Sequence, residues 1–263
     1  MPRSSVDALV AAIPGRAAVF AQRVSAAQPA IAIAPTTVFA AASVIKLAIM
    51  VAAYHAAERG EVALDSAARF DANDVVGGSE TFAHAQPGGS ATIGVLLRAM
   101  IQQSDNTAAN VLIDRFGFAT INRVAARAGL KKTRLRRYFL HFSKTHENET
   151  DAVDIGTLLL AIARGARGES TGIASARSCR AMVGTLLGQE DREKIARGLP
   201  PGVPLANKTG ELLGVRHDAG IVDPYGPHPY VLVVLEDELR DQTAGVIGIN
   251  RISRAVYREL SAR

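Results

Sequence analysis

Ser43 and Lys46 stand three residues apart in "AASVIKLAIM" (41–50), where a run of small residues passes into an apolar stretch. Side chains at that spacing share one face of a helix, so the Lys46 amine can reach the Ser43 hydroxyl and accept its proton. A lysine must be neutral to do so, and a second cation nearby would lower its pKa; Lys208, brought in by a neighbouring strand, is the candidate. Two further short stretches accompany the pair: "SDN" (Ser104, Asp105, Asn106) and "KTG" (Lys208, Thr209, Gly210). Each alone has a bland reading, a capped helix start with a snorkelling lysine for the first and an Asn/Asp turn for the second. Chance would supply about 0.3 S-x-x-K, about 0.02 SDN and about 0.03 KTG in such a chain, so the trio falls on the order of 10⁻⁴.

The elements that must hold these residues are legible in outline. "SVDALVAAI" (5–13) has helical spacing and is closed by Pro14-Gly15. "AAVFAQRV" (17–24) and "AIAIAPTTVF" (30–39) read as strands joined by a turn over 25–28. "SVIKLAIMVAAYHAAERG" (43–60) is apolar almost all round near its start and is expected to be the buried central helix. Helical patterns follow over 92–103, 106–117, 120–129 and 151–166, while 131–149 fits neither period and is expected to be a long surface loop. Strands return at 202–210, 217–226 and 229–237, and an amphipathic helix over 244–260 ends the chain. Strands at both ends around a helical middle predict an α/β lobe formed by the termini with a helical lobe inserted.

Composition narrows the functional classes. The 263 residues carry 48% hydrophobic and 21% charged side chains, ordinary values for a soluble globular protein, and no apolar run reaches membrane-spanning length. The net charge of +5 permits an anionic partner. The densest basic run, Lys131 to Arg137, reads as a solvated face; without tryptophan and with 5% aromatics, a stacking groove for nucleic acid is not expected. Cys179 stands alone, so no internal disulfide forms, and it reads as a small packing residue. Residues 1–24 carry no convincing signal peptide, which reads as cytoplasmic for the chain as written, and as periplasmic or secreted for a trimmed one.

The three motifs, with "FAAASVIKL" (39–47), "SDNTAAN" (104–110), "GLKKT" (129–133) and "KTGELLGVRHDAG" (208–220), resemble the superfamily of class A β-lactamases and penicillin-binding proteins over nearly the whole length. The chain is closer to the class A enzymes, since the transpeptidases usually carry extra domains. The resemblance implies an α/β (α+β) fold with an antiparallel five-stranded sheet flanked by terminal helices and an inserted all-helical lobe. It implies a single domain over 1–263, its α/β lobe at about 1–58 and 190–263 and its helical lobe at about 59–189. It also implies Ser43 as nucleophile, Lys46 as base, Ser104 and Lys208 as proton relay and electrostatic support, and Asn106 holding the acyl-amide arm of a substrate. Asp105 is left in the turn as a structural residue. Thr209, Gly210 and Arg216 would bind substrate, Thr209 and Arg216 completing an anion pocket for a substrate carboxylate that lies along the KTG strand, with the alternative that Arg216 is a surface arginine; His217 is a bystander. The oxyanion hole would be the backbone N–H groups of Ser43 and Glu211, such donors being worth roughly 3 to 4 kcal/mol each. No metal or cofactor is implied; the expected partner of a monomer is a small β-lactam or a D-Ala-type peptide or ester, with neither nucleic acid nor membrane.

One departure matters. Class A enzymes hydrolyse the acyl-enzyme with a water activated by a glutamate on the long loop, within the pattern Arg, aromatic, Glu and a later Asn. Aligned without a gap, Arg137 and Tyr138 match, but Phe139 falls on the glutamate and Ser143 on the asparagine. His141, Glu147 and Glu149 are the nearby titratable groups, none with the family spacing, and the two glutamates read as cap or ion-pair residues. General-base catalysis contributes typically 10² to 10⁴-fold, so from a median turnover of about 10 s⁻¹ deacylation would fall to roughly 0.1 to 0.001 s⁻¹. The expectations are therefore a serine hydrolase that opens β-lactams with slow release, a D-alanyl peptidase or small-ester hydrolase, or a penicillin-binding module that is acylated and held.

Overall fold

A computed structural model describes residues 5–79, 81–143 and 145–261. In chain order the elements are α1 (Ser5–Ala11), β1 (Arg16–Arg23), β2 (Ile31–Ile33), β3 (Phe39–Ala40), a 3-10 turn (Ala42–Ile45), α2 (Lys46–Glu58), β4 (Ala67–Arg69) and β5 (Ser90–Thr92). There follow α3 (Ile93–Gln102), α4 (Asn106–Phe116), α5 (Phe118–Arg127), β6 (Glu149–Thr150), α6 (Ala152–Ala166), α7 (Ala176–Leu187) and α8 (Ile195–Gly198). The chain closes with β7 (Leu205–Leu212), β8 (Val215–Val222), β9 (Tyr230–Asp237) and α9 (Gln242–Ser261).

The main sheet is five-stranded and antiparallel in the order β2-β1-β9-β8-β7, so N-terminal and C-terminal strands share one sheet, as the sequence pattern predicts. All eight residues of β9 are buried, because both faces of the sheet are covered. The two-residue period sorts them: Val231, Val233 and Leu235 join Phe20 and Ile221 on the face covered by α2, α6 and the other inserted helices. Leu232 and Val234 join Val19, Val222 and α9 residues Ile249, Ile252 and Val256 on the other.

Four helix starts carry the side-chain caps that their sequences advertise. Thr92, Asp105, Asp151 and Ser175 accept from the backbone N–H of Val95, Ala108, Asp154 and Ser178, at 3.3, 2.7, 2.7 and 3.2 Å. The predicted helix over 43–60 begins instead as the 3-10 turn, and every residue from Lys46 to Tyr54 in α2 is buried. The α7 and α8 segments were not expected from the sequence; the small and polar residues in "ARSCRAMVGTLL" dilute the helical period.

The segment 131–149 is irregular as expected, but it is not a surface loop throughout: Leu135, Arg137 and Phe139 are buried at every second position. Its backbone is tied down at several points. The Asp154 carboxylate accepts from the N–H groups of Lys131, Lys132 and Thr133 at 2.9, 2.7 and 2.7 Å. Asn122 accepts from Leu135 N at 2.8 Å, and Asn148 from Arg136 N and Arg137 N at 2.7 and 3.1 Å. Of the N-terminal residues 1–24 and the loop 131–149, residues 1–4 and 144 lie outside those described. Among the described residues no helix is long and apolar enough to cross a membrane.

Glu236 on β9 is the exception in the apolar layer under α9: it is fully buried, and neither carboxylate oxygen has a hydrogen-bond partner. Burial pushes its pKa from 4.5 up to about 9. The folded value lies above the unfolded one, so this group's contribution to stability is fully present below about pH 4.5 and is lost as the pH rises through about 9. Glu236→Met, of similar length and without charge, is expected to be more stable than the parent by about 1–3 kcal/mol at pH 8. Urea unfolding is expected to find the difference shrinking towards pH 5.

Candidate active site

The Lys46 amine sits at the first residue of α2 with no exposed surface. It donates to Ser104 O at 2.7 Å and Asn106 Oδ1 at 2.8 Å, with Ser104 Oγ farther off at 3.4 Å. The hydrogen bond to Ser43 that the spacing suggested is absent. The reason is competition: a carbonyl and an amide oxygen, both from the turn before α4, take the amine first. Lys208, also fully buried, donates to Ser104 Oγ at 3.0 Å and to Thr209 O at 2.8 Å. The Ser104 hydroxyl therefore lies between two buried amines. Its backbone is left-handed, φ 58°, an unfavourable state for serine that turns its carbonyl to one lysine and its hydroxyl towards the other.

Both lysines are held below the ordinary lysine value. Burial is the main cause for Lys46 and the Lys208 charge the second, opposed by Asp105. Lys208 was thus expected as the cause and is the lesser one. Burial brings Lys208 down to about 7, against the carboxylates of Asp218 and Asp191. Phe139 covers Lys46 with its ring centroid 4.4 Å from Nζ. A desolvated cation–π contact is worth about 2 kcal/mol, less than the several kcal/mol lost on burying an ion, so the amine still favours neutrality.

Phe139 is clamped rather than merely packed. Its N–H donates to Asn110 Oδ1 at 2.8 Å, and Asn110 Nδ2 donates to Phe139 O at 3.2 Å and Asp74 O at 3.3 Å. Glu147, one of the acids weighed as a substitute base, takes two bonds from the Arg137 guanidinium at 2.6 and 3.1 Å. Glu149 pairs with Arg136 at 2.5 Å. His141 contacts Asn73 O at 3.1 Å, on the outside of the loop. Among the described residues, no free carboxylate stands at Phe139's position.

Ser43, Ser104, Asn106, Phe139, Thr209 and Glu211 line one cleft of about 600 Å³. Asn106 keeps one amide N–H on Gly77 O at 3.2 Å. Gly210 lets β7 lie close against the 3-10 turn: a Cβ there would lie 3.2 Å from both Ser43 N and Val44 N, tighter than ordinary contact. Asp105 has the structural role expected of it, capping α4 and accepting from Ser79 Oγ and Phe82 N.

At the far end of β7 the structure differs from the expected anion pocket. Arg216 does not line the cleft; its Nη1 donates to Leu212 O and Val215 O at 3.0 and 2.7 Å, closing the β7–β8 hairpin. The cation that faces Glu211 most closely is Lys194, at 2.6 Å, which also pairs with Asp191. The sequence reading missed both, since Lys194 and Asp191 sit in the charged run "QEDREK" where nothing marks one residue from the next. His217 is buried, with Nε2 placed to donate to Ala40 O at 2.8 Å and Nδ1 accepting from Glu236 N at 3.1 Å. Burial lowers its pKa and it stays outside the cleft.

The fold is that of a known family: the Beta-lactamase enzyme family profile matches residues 1–260, and the chain belongs to that family. A β-lactamase of Streptomyces fradiae is 32% identical over 159 residues, 54% of this chain and 47% of that protein, so the match spans about half of the relative's length. Among solved structures, a β-lactamase from Sphaerobacter thermophilus superposes with TM-score 0.88 at 30% identity, covering 98% of this chain and 97% of that one. PBP-A superposes equally well, TM-score 0.88 at 28% identity over 98% and 95%, and a mutant of it has been solved as an acyl-enzyme with penicillin G. The fold is also that of a reconstructed ancestral class A β-lactamase, TM-score 0.83 at 25% identity over 96% and 97%.

Lys208 is expected to lose its proton near pH 7, positive below and neutral above. Lysine side-chain NMR would detect one amine titrating there, and Lys208→Arg would remove that signal.

Proposed function

We propose that the protein is a serine hydrolase of the class A β-lactamase type that forms an acyl-enzyme on Ser43 and releases it slowly. The observation that carries this is the Ser104 hydroxyl between two buried amines of lowered pKa, in the cleft that Ser43 lines. A neutral amine has two N–H groups, and Lys46 has two close acceptors, Ser104 O and Asn106 Oδ1. Its lone pair is left for the Ser43 proton. Ser43 Oγ attacks the lactam carbonyl, the C–N bond breaks, and the proton passes through Ser104, with Lys208 beside it, to the leaving nitrogen. The N–H groups of Ser43 and Glu211 hold the oxyanion, a reading supported by the close approach of Gly210 to the turn that carries Ser43. The free N–H of Asn106 and the Thr209 hydroxyl contact the acyl donor.

Slow release is carried by Phe139. A water approaching the ester meets an apolar ring where a base is needed, and Glu147 is neutralised by Arg137. The same observation favours the second reading, a penicillin-binding module that is acylated and held, with PBP-A as its structural relative.

Intact mass measured during reaction with a chromogenic penicillin tests the proposal. A single adduct that decays over about ten seconds to twenty minutes is expected. Adduct formation is expected to vanish in Ser43→Ala; if that variant still turned substrate over, the assignment would be wrong. Phe139→Glu, which sets a carboxylate beside the Lys46 amine, is expected to shorten the adduct lifetime by roughly 10² to 10⁴-fold. Adduct decay followed by mass spectrometry measures it.

A further inference from the structure

The cleft of this basic protein is acidic. Among its described lining residues, Arg137 is opposed by Glu147, Glu190, Asp191 and Glu211, while the chain as a whole carries +5. Arg137 is used up by Glu147. At the β7 end, both nearby cations already face a carboxylate of the protein. Lys194, almost fully buried, pairs with Asp191 and with Glu211 Oε1 at 2.6 Å. Arg216 Nε stands 3.9 Å from the same Glu211 oxygen, and its Nη1 is committed to hairpin carbonyls. Asp191 reflects its pairing with Lys194: burial alone would raise the acid, but the Lys194 ammonium holds it below its ordinary value. Glu190, at the rim, accepts from Gln103 Nε2 at 2.9 Å and, among the described residues, forms no salt bridge.

We infer that Glu211 is a specificity-determining residue: its carboxylate occupies the place that a substrate carboxylate would take, so the cleft selects acyl donors whose arm along β7 is uncharged or cationic. The inference rests on the Ser43 reading for where that arm lies. An anionic arm must displace Glu211 from Lys194 and then lie beside the displaced carboxylate. A neutral amide or ester meets no such repulsion, and an ammonium gains from Glu211 and Glu190 together. Glu211 is half exposed, so water screens part of the repulsion and a selectivity effect of roughly tenfold is expected.

Two measurements on the full chain and on Glu211→Gln decide it, the substitution keeping the backbone N–H and the side-chain shape. The first is the ratio of Ser43 acylation rates for benzylpenicillin methyl ester and benzylpenicillin, followed by intact mass. The parent is expected to favour the ester, and Glu211→Gln to move the ratio towards the acid by roughly tenfold. The second is binding of N-acetyl-D-alanine, which cannot acylate, followed through the amide shifts of Thr209 and Gly210; the variant is expected to bind it roughly tenfold tighter. A ratio or an affinity that does not move, or that moves the other way, overturns the inference. If neither penicillin acylates the protein, the Ser43 reading fails, and the N-acetyl-D-alanine titration alone decides the role of Glu211 in the same way.

Discussion

Two lysine amines are buried within reach of one serine hydroxyl, and most of the structure around the cleft follows from that constraint. An ammonium without water costs several kcal/mol unless it finds acceptors or gives up its proton. Lys46 finds a carbonyl and an amide oxygen from the turn before α4, and Lys208 finds the Ser104 hydroxyl and its own strand's Thr209 carbonyl. Meeting both demands forces Ser104 into a left-handed backbone, which the Asp105 cap and its bonds to Ser79 and Phe82 hold in place. The strand carrying Lys208 lies close against the 3-10 turn at Gly210, where a side chain would crowd the turn's backbone. Three segments far apart in sequence are locked together by one small polar cluster.

Phe139 alters the balance of that cluster. A carboxylate in its place would stabilise the Lys46 ammonium and give water a base. The phenyl ring instead excludes water and leaves the amine to be neutralised by burial. The Asn110 clamp and the Arg137–Glu147 pair hold the ring there, so the loop is built around an apolar residue at this point. On the proposed reading, acylation and release are thereby separated: the first draws on groups that the fold buries together, and the second meets a phenyl ring at Phe139.

The β7 end of the cleft obeys the same electrostatic rule in reverse. Lys194 is nearly as inaccessible as Lys46 and Lys208, yet it remains a cation, because Asp191 and Glu211 outweigh the cost of its burial. Lys194 and Lys208 thus have opposite protonation tendencies within one site. The difference is the carboxylate each can touch, and Glu211 supplies it from the strand that also carries Lys208. A group that neutralises a buried cation from within also fixes what else may bind there.

The sequence by itself determined the three polar motifs of the cleft and the shape of the fold. Short-range spacing put Ser43 and Lys46 on one turn, helical periodicity marked α3, α4 and α6, and apolar strands at both chain ends required one covered sheet. It also singled out Phe139, because a missing acid is a statement about residue type. What only the tertiary structure decided are contacts between segments without local signature. Lys46 turns to Ser104 and Asn106 rather than Ser43, since those acceptors arrive from a turn 58 residues away. Arg216 closes a hairpin instead of lining the cleft, and Lys194 emerges from a charged run to meet Glu211. Local pattern records what a residue can do within a turn or strand; which partner satisfies a buried charge is settled by the packing that brings distant segments together.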